Sequence, residues 1–133
     1  IPKFRAWLPT LQWMCNVSAI LFDEKSLDVY KLGDTERVTE MSVDQDEVTL
    51  LRSTDLFDKN SVEIFEGDIV VQTKTQPTTE NEKIVGVVTM IEGAWLIIND
   101  VDQLACYLWS EVDENEILGN IYENPELLEV KDG

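Results

Sequence analysis

Carboxylates gather around a single glycine, Gly67, in the middle of the chain. They are Asp55, Asp58, Glu63, Glu66 and Asp68. Because Mg²⁺ sites use one or two carboxylates together with water, such a group could serve a metal-dependent hydrolase. The stretch offers no nucleophile paired with a base, which a catalytic set needs. We therefore favour a structural interpretation, in which the aspartates shape turns and the glutamates lie on solvated faces, and we expect no catalytic, cofactor-binding or metal-binding residue.

The stretch from Asp58 to Val71 predicts a turn, a short strand, a second turn and a longer strand. Asp58-Lys59-Asn60-Ser61 has the chemistry of Asx turns, in which a side chain hydrogen-bonds nearby backbone. In Glu66-Gly67-Asp68, the glycine can adopt a positive φ without steric cost. The second turn could also be a binding loop, since scaffolds often carry binding residues on loops. A tight turn capped by Asp68 is the favoured interpretation.

The charge of the chain restricts its partners. There are 27 acidic and 10 basic residues and no histidine, which gives a net charge of −17. A protein of this charge repels nucleic-acid phosphate, so we expect no direct binding of DNA or RNA. The same charge leaves two alternatives open: an acidic mimic of DNA that occupies a DNA-binding protein, or simple solubility.

Four tryptophans bear on the same question: Trp7, Trp13, Trp95 and Trp109. Exposed aromatic side chains can stack on single-stranded nucleic acid, but such platforms need basic neighbours. Only Trp7 has them, in Lys3 and Arg5. Packing in the core or at a subunit interface is therefore the expected role of the tryptophans.

The cysteines and the hydropathy pattern indicate a compartment. Cys15 and Cys106 are far apart, and without histidine they exclude a structural zinc site within one chain. Two lone thiols fit a reducing cytoplasm. No secretory signal pattern and no apolar run near about 18 residues is present, so neither export nor a membrane span is indicated. We expect a cytoplasmic protein with no cofactor.

Short apolar runs separated by turn residues predict a mainly β protein, a barrel or a sandwich with little helix. Residues 4–7 alternate like an edge strand, and the polar residues 44–47 would join two hairpin strands. Residues 83–91 and 94–98 flank Glu92-Gly93 and form the best hairpin, with a bulge or bend expected at Gly86. The 76–82 segment predicts a flexible loop.

Two helical turns are predicted in the last third of the chain. Val101, Leu104, Ala105 and Leu108 follow the i, i+3, i+4, i+7 spacing of a helix, so residues 101–109 are expected to be helical. Asn124-Pro125 has the composition of a helix start, with asparagine as N-cap and proline at the first helical position.

Three segments, in this order, resemble the YopX family of bacteriophage and prophage proteins: IPKFRAW, STDLFDKNSVEIFEGDIV and GNIYENPELLE. The central pattern of that family is similar to DKNGKEIYEGDIV, and the terminal one to IGNIYENPELL. The resemblance spans essentially the whole chain. The residues that carry its two longer motifs are Asp58, Lys59, Asn60, Glu63, Glu66, Gly67, Asp68, Gly119, Asn120, Asn124 and Pro125.

The resemblance implies one domain over residues 1–133, with N-terminal strands in a β-meander over 1–52 and a barrel-forming half over 53–133. The barrel would be a small one of the Src-homology-3 type. The chain departs from the family pattern at Leu8, at Asp55, where the family has glycine, and at Ser61-Val62, which replaces a Gly-Lys turn. That turn must form without glycine, and we expect Asn60 to take the left-handed conformation.

The family carries no established molecular activity, so the resemblance implies origin and fold. We expect a phage or prophage accessory protein that is not an enzyme and that acts by contact with an unidentified protein, with self-association into a homo-oligomer. The oligomer is expected because small β domains have strand edges that need cover. A DNA mimic and a carboxylate-based hydrolase are the two alternatives.

Overall fold

The structure, a computed structural model, describes residues 3–75 and 82–128. The chain divides into two compact units, Ile1–Ser53 and Thr54–Gly133. Both are built from antiparallel strands, so the mainly β prediction is confirmed. In the described ranges, helix is limited to two short 3₁₀ turns, Gln45–Glu47 and Pro125–Leu128. The predicted flexible loop lies almost wholly outside the described residues.

The first unit is a meander in which successive strands pair as neighbours. Its strands are β1 (Phe4–Leu8), β2 (Trp13–Leu21), β3 (Ser26–Lys31), β4 (Met41–Asp44) and the first half of β5 (Thr49–Phe57). Their order across the sheet is β4-β3-β2-β1-β5. β1 therefore lies between β2 and β5, and its prediction as an edge strand is wrong.

The sequence predicted that the polar segment 44–47 joins two strands of a hairpin, and this prediction is wrong. It forms the first 3₁₀ turn and leads the chain from β4, which pairs with β3, to β5, which pairs with β1. Polar turn residues look alike whether the chain reverses onto its neighbour or crosses to a distant strand. Only the pairing of β5 with β1 shows that this connection is a crossover and not a hairpin turn.

The core of the first unit follows the alternation of its strands. On β3, Leu27 and Val29 are buried while Asp28 between them is less so, as period-two alternation requires. Cys15 is fully buried among apolar side chains, where it packs as a small apolar residue. Burial raises the pKa of its thiol.

The second unit continues from the second half of β5. Its further strands are β6 (Glu63–Phe65), β7 (Asp68–Thr73), β8 (Lys83–Ile91), β9 (Ala94–Asn99), β10 (Leu104–Tyr107) and β11 (Glu114–Asn120). Five of them form a sheet in the order β10-β9-β8-β7-β11. Its core is the fully or almost fully buried set Ile64, Val70, Val88, Ile97 and Leu108.

The predicted closed barrel is not observed. β10 and β11 are the two edges of the five-stranded sheet, and within the described ranges no backbone ladder joins them. The β8–β9 hairpin is confirmed, with Glu92 and Gly93 at positive φ of 50° and 84° in its two-residue turn. The residues 101–109 contain β10 instead of the predicted helix, because Leu104–Tyr107 pair with β9.

Gly86 serves close packing and does not mark a bulge. It pairs with Val70 in unbroken register between β7 and β8. A Cβ atom built on it would lie 2.6 Å from the carbonyl oxygen of Ile98 and 2.8 Å from a methyl carbon of Ile97. The strand therefore needs glycine to let β9 approach. The structure places register shifts elsewhere, at Ser18 in β2 and Leu118 in β11.

The turn before β6 uses Ser61, not Asn60, as its left-handed residue. Ser61 has a φ of 65°, and its N–H donates a hydrogen bond to the carbonyl oxygen of Asp58 at 2.9 Å. Asp55, the other position where the family pattern has glycine, also has a positive φ, 64°. Both departures from the pattern thus place a side chain in a conformation that glycine adopts at no steric cost.

Replacing Ser61 by glycine should stabilise the protein. The strain of the left-handed conformation is relieved, and the greater flexibility of glycine in the unfolded chain offsets part of the gain. We expect the free energy of unfolding to rise by about 0.5–1 kcal/mol. Urea denaturation measures it. The matched control is Ser42→Gly in strand β4, which should lower stability, and equal effects of both substitutions would contradict the assignment of strain to Ser61.

Candidate interaction surface

Asp58 is a buried acceptor at the centre of its turn. Its Oδ1 atom accepts hydrogen bonds from the N–H groups of Asn60 at 2.9 Å and Val62 at 3.0 Å, and Oδ2 accepts one from Ile117 at 3.0 Å. Burial acts to raise the pKa of Asp58, but these three N–H donors and the charge of Lys59 outweigh it and hold the pKa below its usual value. The carboxylate joins the turn to β11.

Lys59 and Asn60 complete that turn on its solvent side. The N–H of Lys59 donates to the carbonyl oxygen of Asn115 at 2.8 Å, and its Nζ lies 3.4 Å from Oε1 of Glu116. Both side chains of this ion pair are more than 40% exposed, so its contribution to stability is small. The pair does, however, neutralise the lysine locally.

The second turn, Glu66-Gly67-Asp68, is tight as predicted. Gly67 has a φ of 89°, its N–H donates to Val88 O at 2.9 Å, and its carbonyl oxygen accepts from the N–H of Ile121 at 3.0 Å. Asp68 is buried, and its Oδ2 accepts from the N–H of Phe65 at 2.8 Å. The glycine is needed for its conformation, and the aspartate closes the turn.

The two glutamates of the central motif are half-buried. Glu63 lies on β6 and Glu66 in the turn that follows. Burial, and after it the carboxylate of Glu66, raise the pKa of Tyr122. Glu66 therefore lies close to the C-terminal motif, although the two are far apart in sequence.

The C-terminal motif is a turn held by two asparagines. Asn120 Oδ1 accepts from the N–H groups of Tyr122 and Glu123 at 3.0 and 2.8 Å, and Asn124 Oδ1 accepts from the N–H of Asn120 at 3.2 Å. A Cβ atom on Gly119 would lie 2.4 Å from Asn124 Oδ1, so glycine leaves room for that side chain. Pro125 begins the second 3₁₀ turn.

The family-motif residues therefore lie in turns or at the strand ends beside them, as Glu63 does at the start of β6. Asp58 and Asp68 each point at backbone N–H donors of their own turn or of β11. Across residues 3–75 and 82–128, no group of three or more His, Cys, Asp or Glu side chains could hold a metal ion. The hydrolase alternative gains no support from this geometry.

A different polar cluster spans the gap between β10 and β11. Gln72 on β7 is almost fully buried, and its Nε2 donates to the carbonyl oxygens of Tyr107 and Leu108 at 3.1 and 3.4 Å and to Asn115 Oδ1 at 3.0 Å. Asn115 on β11 in turn donates from Nδ2 to Leu108 O at 2.9 Å. Side-chain amides thus stand where a closed barrel would have a backbone ladder.

The other end of Gln72 is equally occupied. Its Oε1 accepts from Lys74 Nζ at 2.8 Å, and the Cys106 thiol lies 3.5 Å away. Lys74 also forms a largely buried ion pair with Asp113 at 3.3 Å. Burial raises the pKa of the Cys106 thiol; the charge of Lys74 opposes this rise and that of Asp113 adds to it.

The segment from β10 to β11 is tied down by these groups and their neighbours. Ser110 Oγ accepts from the N–H groups of Val112 and Asp113 at 3.2 and 3.1 Å. The Thr75 hydroxyl donates to the carbonyl oxygen of Val112, and the Thr75 N–H to Asp113 Oδ1 at 3.3 Å. The segment is therefore held in one conformation from both sides.

This segment presents an apolar surface to solvent. Tyr107, Trp109 and Val112, which we call the Trp109 surface, are 68%, 61% and 46% exposed. Three shallow depressions of about 460 to 590 Å³ share Trp109 in their walls. The tryptophans were expected to pack in a core or at a subunit interface. Trp13 and Trp95 pack against the cores of the first and the second unit, but Trp109 is exposed and belongs to neither core.

The sequence predicted none of these residues as a site. The helical interpretation of residues 101–109 placed Leu108 on one face with Val101, Leu104 and Ala105. In the structure, residues 104–107 form β10, and the extended chain that continues from it leaves Trp109 exposed. The spacing of Tyr107 and Trp109, with buried Leu108 between them, is the period-two signal that could have revealed it.

A family profile described as YopX protein matches residues 3–129 of the chain. A search of curated proteins found no match to the chain. In the part of the chain that the structure describes, no helix is long and apolar enough to cross a membrane.

Two solved structures are similar over nearly the full length. Protein EF1440 from Enterococcus faecalis is 27% identical, with a TM-score of 0.57, and the match covers 97% of this chain and 99% of that one. Protein yopX from Bacillus subtilis is 20% identical, with a TM-score of 0.60 and coverage of 96% and 98%. The second match concerns the fold alone.

Proposed function

The chain belongs to the YopX family, and on that premise we propose that it is a non-enzymatic protein–protein interaction module that acts through the Trp109 surface. One observation carries the proposal: aromatic side chains stand exposed on a segment that hydrogen bonds fix in place. Tryptophan and tyrosine are enriched among the residues that dominate binding energy at interfaces. A fixed segment loses little conformational entropy when a partner binds.

Replacing Trp109 by serine should abolish partner capture and leave the fold intact. Because truncation of a central interface aromatic costs about 2 kcal/mol or more, we expect at least about a thirtyfold loss of affinity. Affinity purification from the bacterial cells that carry the gene, followed by mass spectrometry, identifies the partner, and titration with that purified partner measures the loss. Circular dichroism checks that the variant is folded.

The matched control is Val101→Ser, which removes another exposed apolar side chain of the second unit, one that is 59% exposed and lies outside the depressions around Trp109. The control should retain the partner. Capture of the same proteins, in the same amounts, by the Trp109 variant would contradict the proposal. The non-enzymatic part is tested with nuclease and phosphatase assays in Mg²⁺ and Mn²⁺, in which we expect no turnover by wild type.

A second candidate function is an acidic mimic of DNA, and the distribution of charge favours it. The described residues of the second unit hold 15 acidic side chains and 3 lysines, whereas those of the first unit hold 9 acidic and 6 basic ones. A surface this acidic can attract a protein that otherwise binds phosphate. Duplex DNA should then compete with the chain for its partner, and absence of competition would count against mimicry.

We further propose self-association through the first unit. β4 forms an edge of its sheet, and Phe22 and Val38 are 82% and 80% exposed. A strand edge without a neighbour favours pairing with a second copy, and exposed apolar side chains in the same unit favour association further. Light scattering coupled to size exclusion decides this, since a single species of 15.2 kDa would show a monomer.

The setting we propose is the cytoplasm of a bacterial host, with a phage or prophage as the source of the gene. Both thiols are free, Cys15 buried and Cys106 partly buried, as suits a reducing compartment. Fractionation of lysogenic cells tests the compartment, and recovery of the protein from the medium would exclude it.

A further inference from the structure

Resting on the proposed function, we infer that the Trp109 surface receives a cationic polypeptide segment that places an apolar side chain against Trp109. This surface has two properties that bear on its partner, an acidic rim that no neighbouring cation compensates and a preformed apolar depression. Each restricts the partner in a different way, and a separate measurement addresses each.

The rim is acidic because its neighbouring cations are already paired. Glu111 and Glu114 are exposed on either side of Val112 and Asp113, and no cation among the described residues pairs with either. Lys74 is held by Asp113 and by Gln72, and Lys59 lies against Glu116. The described part of the second unit contains no arginine. A partner must therefore bring the positive charge.

The centre of the surface is apolar and shaped. The largest of the three depressions, about 590 Å³, has Leu56, Ala94, Trp95, Trp109 and Val112 in its wall. This volume admits a leucine or an aromatic side chain, and placing one against tryptophan removes apolar surface of both from water. The segment need not reorganise, since Ser110 and Thr75 already fix it.

Charge also argues against two other occupants of this surface. In a symmetric contact between two copies, Glu111 and Glu114 would face carboxylates of the same surface, and like charges in close contact are unfavourable. Nucleic acid would bring phosphates to the same rim. A basic protein segment is the occupant whose charge complements it.

The test uses labelled, capped dodecapeptides as probes, measured by fluorescence anisotropy at low and high salt. The first alternates arginine and leucine, the second arginine and serine, and the third glutamate and leucine. We expect the first to bind at least tenfold more tightly than either other probe. Its affinity should fall at least tenfold with Trp109→Ser and several-fold with the double change Glu111→Gln and Glu114→Gln, which should also weaken the salt dependence.

The matched control removes two exposed carboxylates of the first unit, by Asp23→Asn together with Glu24→Gln, and should bind the first probe like wild type. Equal binding of the arginine–serine probe, or an unchanged affinity when Glu111 and Glu114 are neutralised, would overturn the inference. So would tight binding of the glutamate–leucine probe. Binding of a labelled DNA duplex to the protein that is lost with Trp109→Ser would also overturn it, as would a dimer of the chain that the same variant converts to a monomer in light scattering.

Failure of the inference is distinguishable from failure of the proposed function. A cellular partner that is lost with Trp109→Ser, but is insensitive to salt and to the Glu111/Glu114 change, leaves the interaction module standing and removes the cationic partner. The converse outcome is that the peptides bind as expected but the Trp109→Ser variant retains every cellular partner. In that case the chain binds its cellular partners through another surface.

Discussion

Replacing Asp58 by alanine is expected to lower the free energy of unfolding by about 4 kcal/mol, because a hydrogen bond to a charged acceptor contributes about 1.5–3 kcal/mol and three backbone donors lose theirs. Those donors are the N–H groups of Asn60, Val62 and Ile117. The first two can be partly hydrated in the exposed turn, so the full sum is not reached. Asp58→Asn keeps one acceptor oxygen and should cost about half as much.

The same variants should change the response to acid. The pKa of Asp58 lies below its ordinary value of 3.8 in the folded protein. Its contribution to stability is therefore complete above the ordinary pKa of the unfolded chain and is lost as the pH falls through the folded-state pKa. The difference in stability between wild type and Asp58→Asn should stay constant from pH 7 to pH 5 and shrink below about pH 4.

Urea denaturation at a series of pH values measures both effects. Asp23→Asn, which removes an exposed carboxylate of the first unit, is the matched control and should change stability by less than about 0.5 kcal/mol at pH 7. A difference between wild type and Asp58→Asn that grows as the pH falls would refute the assignment of Asp58 as a charged acceptor.

The second large effect is expected at Gln72. Gln72→Leu retains the volume of the side chain but leaves the carbonyl oxygen of Tyr107, Asn115 Oδ1 and Lys74 Nζ each without one partner. Buried polar groups that lose a partner cost about 1–3 kcal/mol each, so we expect a loss of about 3 kcal/mol. Leu108 O keeps the hydrogen bond from Asn115, which limits the loss.

Two further variants separate hydrogen bonding from packing at this position. Gln72→Glu keeps an acceptor for Lys74 but turns a carboxylate towards the carbonyl oxygens of Tyr107 and Leu108, so it should also destabilise. Gln45→Leu, at an exposed position, is the control and should be close to neutral. Urea denaturation of the three variants tests this, and a stable Gln72→Leu protein would show that side-chain amides do not hold β10 to β11.

Loss of Gln72 also bears on the proposed function. Its side chain donates to the carbonyl oxygens of Tyr107 and Leu108, the two residues that directly precede Trp109. A destabilised but folded Gln72→Leu protein should therefore bind the arginine–leucine peptide more weakly, although Gln72 is almost fully buried. Trp109→Ser, by contrast, should weaken binding without loss of stability.

Much of the fold follows from local sequence. The turn residues Glu92-Gly93 and the glycine at position 67 each predicted what the structure contains. Strand periodicity and turn chemistry are properties of a few neighbouring residues, so they can be read without knowledge of the rest of the chain. The same holds for the acidic charge and for the resemblance to the YopX family.

What local sequence could not decide was pairing between distant strands. The position of β1 inside its sheet depends on β5, more than 40 residues later. The strand at 104–107 exists because β9 pairs with it, and this overrode an apolar spacing that suits a helix. The gap between β10 and β11, and Gln72 across it, likewise depend on contacts some 35 residues apart.

By itself, the sequence determined that this is an acidic, mainly β member of the YopX family whose central motif contains two turns. The tertiary structure alone decided that Asp58 also accepts a hydrogen bond from the distant N–H of Ile117 on β11 and that Trp109 stands exposed on a fixed segment. The physical reason is that a side chain's chemistry is set by its type, whereas its burial and its partners are set by whichever distant strand packs beside it.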